Sequence, residues 1–232
     1  MQGREIEIVR GESTRSMPGF AALPAGAERG VVVIHEILGR QPEIDRVIER
    51  FAERGYAAVG PDLFHGRRRL ACIRQALSMF ETGEGPLADG ITDARDWLCA
   101  EASLSPERVG VIGFCIGGGM ALAVAPRFAA VSTNYGDLPK AELLRRSPPI
   151  LGCYGGRDRL FGRNGPRLEQ LVDPLGVSCE THTFPTVGHS FLTDGHHPLM
   201  YALSRPLLGI RWDPEVAERG WLEIMAFFDR HL

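Results

Sequence analysis

The sequence turns on the stretch Gly113-Phe114-Cys115-Ile116-Gly117-Gly118-Gly119. It follows the apolar run 108–112 and precedes Met120-Ala121-Leu122-Ala123-Val124-Ala125, so it reads as a strand, a sharp turn and a helix. At the tip of such a turn the backbone is strained, and the residues two before and two after must be tiny to avoid collision. Gly113 and Gly117 hold those two positions. The tip residue is Cys115, which gives the turn the form of a nucleophile elbow bearing a thiol where most elbows carry serine.

A chain of 232 residues, 44% hydrophobic and 24% charged, suits one large α/β domain and argues against disorder. A net charge of -3 gives no support to a nucleic-acid partner. The amino end lacks the apolar core of a signal peptide, and no later run approaches the ~18 apolar residues of a membrane span, so a soluble cytoplasmic protein is expected. Cys72, Cys99, Cys115, Cys153 and Cys179 show no C-x-x-C spacing, which suggests neither a zinc site nor a disulfide framework. The four cysteines other than Cys115 read as structural thiols. His196-His197 has no third ligand at a recognisable spacing and reads as a solvated loop, so no metal is expected.

Taken in order, residues 4–10 alternate apolar and polar and a second short segment follows Pro18, predicting an antiparallel hairpin. The β-branched run 30–36 predicts a strand buried on both faces. Pro42 opens a helix with apolar positions at Ile44, Val47, Ile48 and Phe51, ending near Gly55. A second buried strand is expected at 56–59, and helices at 70–80 and 87–102. After the elbow, strands are expected at 128–135, 149–155 and 177–184, and a closing amphipathic helix at 214–231. The alternation predicts a single doubly wound α/β domain over 1–232, with a mostly parallel sheet and helices on both faces.

In such sheets active groups lie beyond the carboxyl ends of the strands. Three ends carry chemistry: Cys115 at the elbow, Asp158 in Gly156-Arg157-Asp158, and His189 in Gly188-His189-Ser190-Phe191. His189 can take the thiol proton and Asp158 can hold the imidazole in the correct tautomer. The helix after Cys115 favours the thiolate. The N–H groups of Ile116 and Ile37 would face a developing oxyanion.

The motifs His35-Glu36-Ile37-Leu38-Gly39, 54–64, 113–118, 156–158 and 188–191 together resemble the dienelactone hydrolase family of the α/β-hydrolase fold. The resemblance covers nearly the whole chain. It implies a Cys-His-Asp triad of Cys115, His189 and Asp158, with Glu36 beside the thiol controlling its protonation. It further implies a thioester intermediate, a small ester or lactone substrate and no cofactor. Candidate substrate contacts are Phe64, Arg67, Arg68, Arg69, Arg74 and Phe191, although the arginine run also reads as a solvated face. The family resemblance also implies an arginine shortly after the histidine motif to bind a substrate carboxylate. This chain has Leu192-Thr193-Asp194 there and no arginine before Arg205, which leaves an esterase or thioesterase acting on an uncharged substrate as the alternative. A non-catalytic small-molecule-binding member of the fold is the rival from a different class. A monomer or homodimer is expected.

Overall fold

The computed structural model describes residues 2–9, 16–193 and 209–232; Asp194, His196, His197 and Arg205 lie outside the described residues. Strands β1 (Arg4–Val9) and β2 (Ser16–Ala22) form the expected antiparallel hairpin. With β3 (Gly30–Ile34), β4 (Ala57–Pro61), β5 (Val109–Phe114), β6 (Val131–Asn134), β7 (Ile150–Gly155) and β8 (Cys179–Phe184) they make an eight-stranded sheet of order β1-β2-β4-β3-β5-β6-β7-β8. β2 joins β4 antiparallel, and every pairing from β4 across to β8 is parallel.

Helices α2 (Arg69–Thr82), α3 (Pro86–Ala102), α4 (Ile116–Ala123) and α5 (Asn164–Val172) contribute to the core on one face of the sheet. Helices α1 (Pro42–Glu53) and α6 (Pro214–His231) cover the other. This explains why β3 is a continuous apolar run: Val32 and Ile34 point into one core, Val31 and Val33 into the other, so neither side tolerates polar residues. Phe51 on α1 meets the rings of Tyr56, Trp221 and Phe228 at 5.6, 6.2 and 5.6 Å, all edge-on, which ties α1 to α6. Among the described residues no helix is long and apolar enough to cross a membrane.

Several boundaries differ from the sequence expectation. β3 ends at Ile34, because the Glu36 carbonyl leaves the ladder to accept the N–H of Gly39 (3.1 Å) in a tight turn. β6 begins at Val131 rather than 128; Ala125–Arg127 forms a 3-10 turn that redirects the chain, with the Phe128 N–H donating to the Ala125 carbonyl (3.1 Å). Pro18 lies inside β2, where its carbonyl accepts the N–H of Asp62 (2.8 Å) just past the end of β4.

Helix α6 starts with the Asp213 carboxylate accepting the N–H groups of Glu215 (3.0 Å) and Val216 (3.2 Å). Asp213→Ala is therefore expected to lower stability by about 1 kcal/mol in urea denaturation, with Asp213→Asn close to wild type. Equal stability of all three proteins would show that the cap contributes nothing.

Candidate active site

At the carboxyl edge of β5 the backbone is crowded past the point where side chains fit. A Cβ on Gly113 would lie 2.0 Å from the Gly117 carbonyl oxygen, and one on Gly117 would lie 2.5 Å from that of His35. Cys115 caps α4 with φ 55° and ψ -121°, and its N–H donates to the Asn134 carbonyl (3.0 Å). Its side chain is partly exposed, whereas burial raises the thiol pKa of Cys72, Cys99, Cys153 and Cys179, the last to about 12. Ile116 is the first residue of α4, so its N–H has no acceptor within the helix.

His189 and Asp158 are buried together, with Nδ1 of His189 2.7 Å from Oδ2 of Asp158. The other carboxylate oxygen of Asp158 accepts the N–H groups of Leu160 (2.9 Å) and Phe161 (3.0 Å). The residue thus caps its own turn and orients the histidine at once. With Nδ1 directed to Asp158, the remaining ring nitrogen is left for the sulfur of Cys115, whose charge acts on the ring. Burial acts to lower the affinity of the imidazole for its proton. The charge of Cys115, followed by the hydrogen bond and charge of Asp158, outweighs it, and the His189 pKa is raised to about 10.

Glu36 follows β3 and is partly buried, held by two hydroxyl groups: Tyr135 at 3.2 Å and Thr193 at 3.1 Å, both to Oε1. The hydroxyls themselves lie 3.2 Å apart. Burial, followed by the charge of Glu36, holds the Tyr135 phenol well above its ordinary pKa, so it stays a donor. Tyr135 sits at the end of β6 with φ 42°, and Ser190, beside His189, has φ 55°. Three of the four non-glycine positive φ angles among the described residues thus belong to Cys115, Tyr135 and Ser190, a concentration of backbone strain at one edge of the sheet. Tyr135 is expected as the last residue of a strand at 128–135; it lies just past the end of β6, where its phenol reaches Glu36.

The candidate substrate contacts separate. Arg67 and Arg69 line a groove of about 240 Å³ with Leu38, Gly39, Phe64 and His65, beside the loop after β3, and Arg67 also donates to Gln75 (3.1 Å). Arg68 and Arg74 are exposed and do not line it. Phe64 packs its ring edge-on against His35 at 4.7 Å. Phe191 is a correction: its ring is fully buried in the core against Tyr135 and Phe184, leaving no surface for substrate. Among the described residues no three His, Cys, Asp or Glu side chains gather into a metal-binding group.

A nucleophile elbow after the central strand of this sheet, with an acid and a histidine following at later strand ends, places the chain among the α/β hydrolases. The sequence profile of the dienelactone hydrolase family matches residues 17–232, and the chain belongs to that family. It is 28% identical over 211 residues to the carboxymethylenebutenolidase of Pseudomonas putida, covering 79% of this chain and 86% of that protein. It is 26% identical over 228 residues to Protein usf of Aquifex pyrophilus, covering 92% and 93%. A dienelactone hydrolase-like promiscuous phosphotriesterase from metagenomic libraries superposes with a TM-score of 0.80 at 22% identity over 99% of this chain and 98% of that one. The dienelactone hydrolase of Anabaena variabilis gives 0.62 at 23% over 89% and 95%.

The raised His189 pKa has a direct spectroscopic consequence. Ring nitrogen NMR is expected to show His189 protonated through neutral pH and losing its proton as the pH rises through about 10. In Cys115→Ala the largest raising contribution is gone, so the midpoint should fall. An unchanged midpoint would show that the imidazole does not face the sulfur.

Proposed function

We propose that this chain hydrolyses small carboxylic esters or lactones through a thioester on Cys115, with His189 as acid and base, Asp158 as its orienting carboxylate and Glu36 as a second proton acceptor beside the thiol. The observation that carries this reading is the buried His189–Asp158 pair, whose imidazole is held protonated chiefly by the charge of Cys115 at the elbow. The thiolate attacks the acyl carbon, and the carbonyl electron pair moves to oxygen, where the N–H groups of Ile116 and Ile37 receive it. As the C–O bond breaks, the leaving alkoxide takes the His189 proton. His189 then removes a proton from water, the hydroxide attacks the thioester, and the thiolate leaves with His189 protonated again.

A substrate without a carboxylate is favoured over a carboxylate-bearing dienelactone. The support is Thr193, two residues past the His189 motif, whose neutral hydroxyl contacts Glu36 together with the hydroxyl of Tyr135. An Arg-carboxylate fork is a large part of recognising an acid, and this position has none to offer.

Incubation with an activated ester followed by mass spectrometry is expected to show an acyl adduct on Cys115. The adduct should be absent in Cys115→Ala and form about 10²- to 10⁴-fold more slowly in His189→Ala. A wild-type protein that neither turns over nor acylates across a panel of esters and lactones would refute the hydrolase reading. For the acyl group, neutral esters should outperform carboxylate-bearing analogues, and Thr193→Arg should shift kcat/KM toward the latter. No shift in that ratio would remove Thr193 from substrate selection.

A further inference from the structure

His35 is fully buried and takes no part in the proton transfers described above. Its two ring nitrogens bridge two loops at the carboxyl edge of the sheet. Nδ1 lies 2.8 Å from the Glu36 carbonyl oxygen, and Nε2 lies 3.2 Å from the backbone nitrogen of Leu63. A backbone N–H can only donate, so Nε2 is the acceptor. The ring is then neutral, with its proton on Nδ1 and donated to the Glu36 carbonyl. Burial, which lowers the affinity of this imidazole for a second proton, acts in the same direction.

The Glu36 carbonyl also accepts the N–H of Gly39 (3.1 Å), so two donors hold it. The structure contains no cis peptide among the described residues, and across a trans peptide the carbonyl and the following N–H point in opposite directions on one rigid plane. Holding the Glu36 carbonyl toward His35 therefore sets where the Ile37 N–H points. The edge-on contact with Phe64 at 4.7 Å keeps the ring itself from turning. The His35 backbone is in turn braced against α4, since no Cβ fits between Gly117 and the His35 carbonyl.

We propose that His35 is a positioning residue that aims the Ile37 N–H at the developing oxyanion by clamping the Glu36–Ile37 peptide plane from behind. The proposal rests on the reading of Cys115 as an acylated nucleophile. In His35→Asn the amide can replace Nδ1 as donor to Glu36 while Leu63 loses its acceptor. In His35→Gln the amide oxygen can reach Leu63 while Glu36 loses its donor. Each variant removes one of the two hydrogen bonds of the ring, so both lose stability; in His35→Gln the Glu36 carbonyl keeps only the Gly39 N–H, and only this variant loses the clamp.

The test compares two reactions of the same sulfur. Acylation by an activated ester develops an oxyanion; alkylation by iodoacetamide does not. His35→Gln is expected to acylate about 10- to 100-fold more slowly than wild type, mostly in kcat, with alkylation near the wild-type rate. His35→Asn should recover most of the acylation rate. Parallel loss of acylation and alkylation, equal loss of acylation in the two variants, or no loss in either would each overturn the proposal. A wild type that alkylates but never acylates would instead refute the underlying hydrolase reading. If neither variant folds, nitrogen NMR of the wild-type ring decides: a neutral ring protonated on Nδ1 is required, and a proton on Nε2 at neutral pH overturns it.

Discussion

Around Gly113 and Gly117 the backbone of the elbow closes on itself and on the end of β3 so tightly that a single added carbon would collide with a carbonyl. Everything at the site follows from that approach. It forces Cys115 into a positive φ at the tip of the turn and starts α4 directly behind the sulfur. It also brings the His35 carbonyl against α4, so the loop that begins with Glu36 and Ile37 leaves β3 beside the elbow. Strained φ values cost about 1–3 kcal/mol each. At Cys115, Tyr135 and Ser190 they are sustained by strands β3 to β7, whose residues are buried throughout.

Within that frame, burial and charge act against each other, and the outcome differs from group to group. The other four cysteines are held as thiols by desolvation. At His189 the same desolvation is outweighed by Cys115 and Asp158, leaving a charged ring in a buried position. At His35 nothing outweighs it, and the ring is neutral. Two histidines on one edge of the sheet thus occupy opposite protonation states. One is suited to moving a proton and the other to holding a peptide plane.

Much of this was legible in the residues. The β-branched runs, the Pro42 helix start and the glycines of the elbow each signal structure through local sterics or burial, and β1 to β8 with α1 to α4 and α6 lie close to the expected positions, whereas α5 (Asn164–Val172) goes beyond the expected elements. The order Cys115, Asp158, His189 was likewise readable as a set. The errors arise where tertiary contacts decide. Phe191 stands in a motif beside His189, but the strained φ of Ser190 swings it into the core. Tyr135 reaches Glu36 across 99 residues of chain, and no local pattern announces that pairing. The role of His35 depends on a tautomer set by Leu63, 28 residues away.

The proposed thioester can be watched directly in a single turnover of a cinnamoyl ester, whose thioester absorbs apart from both ester and acid. Excess wild-type protein is expected to show thioester absorbance that rises and then decays, with rates that together account for kcat, and Cys115→Ala should show none. Turnover without any thioester signal, or an equal signal in Cys115→Ala, would contradict the account.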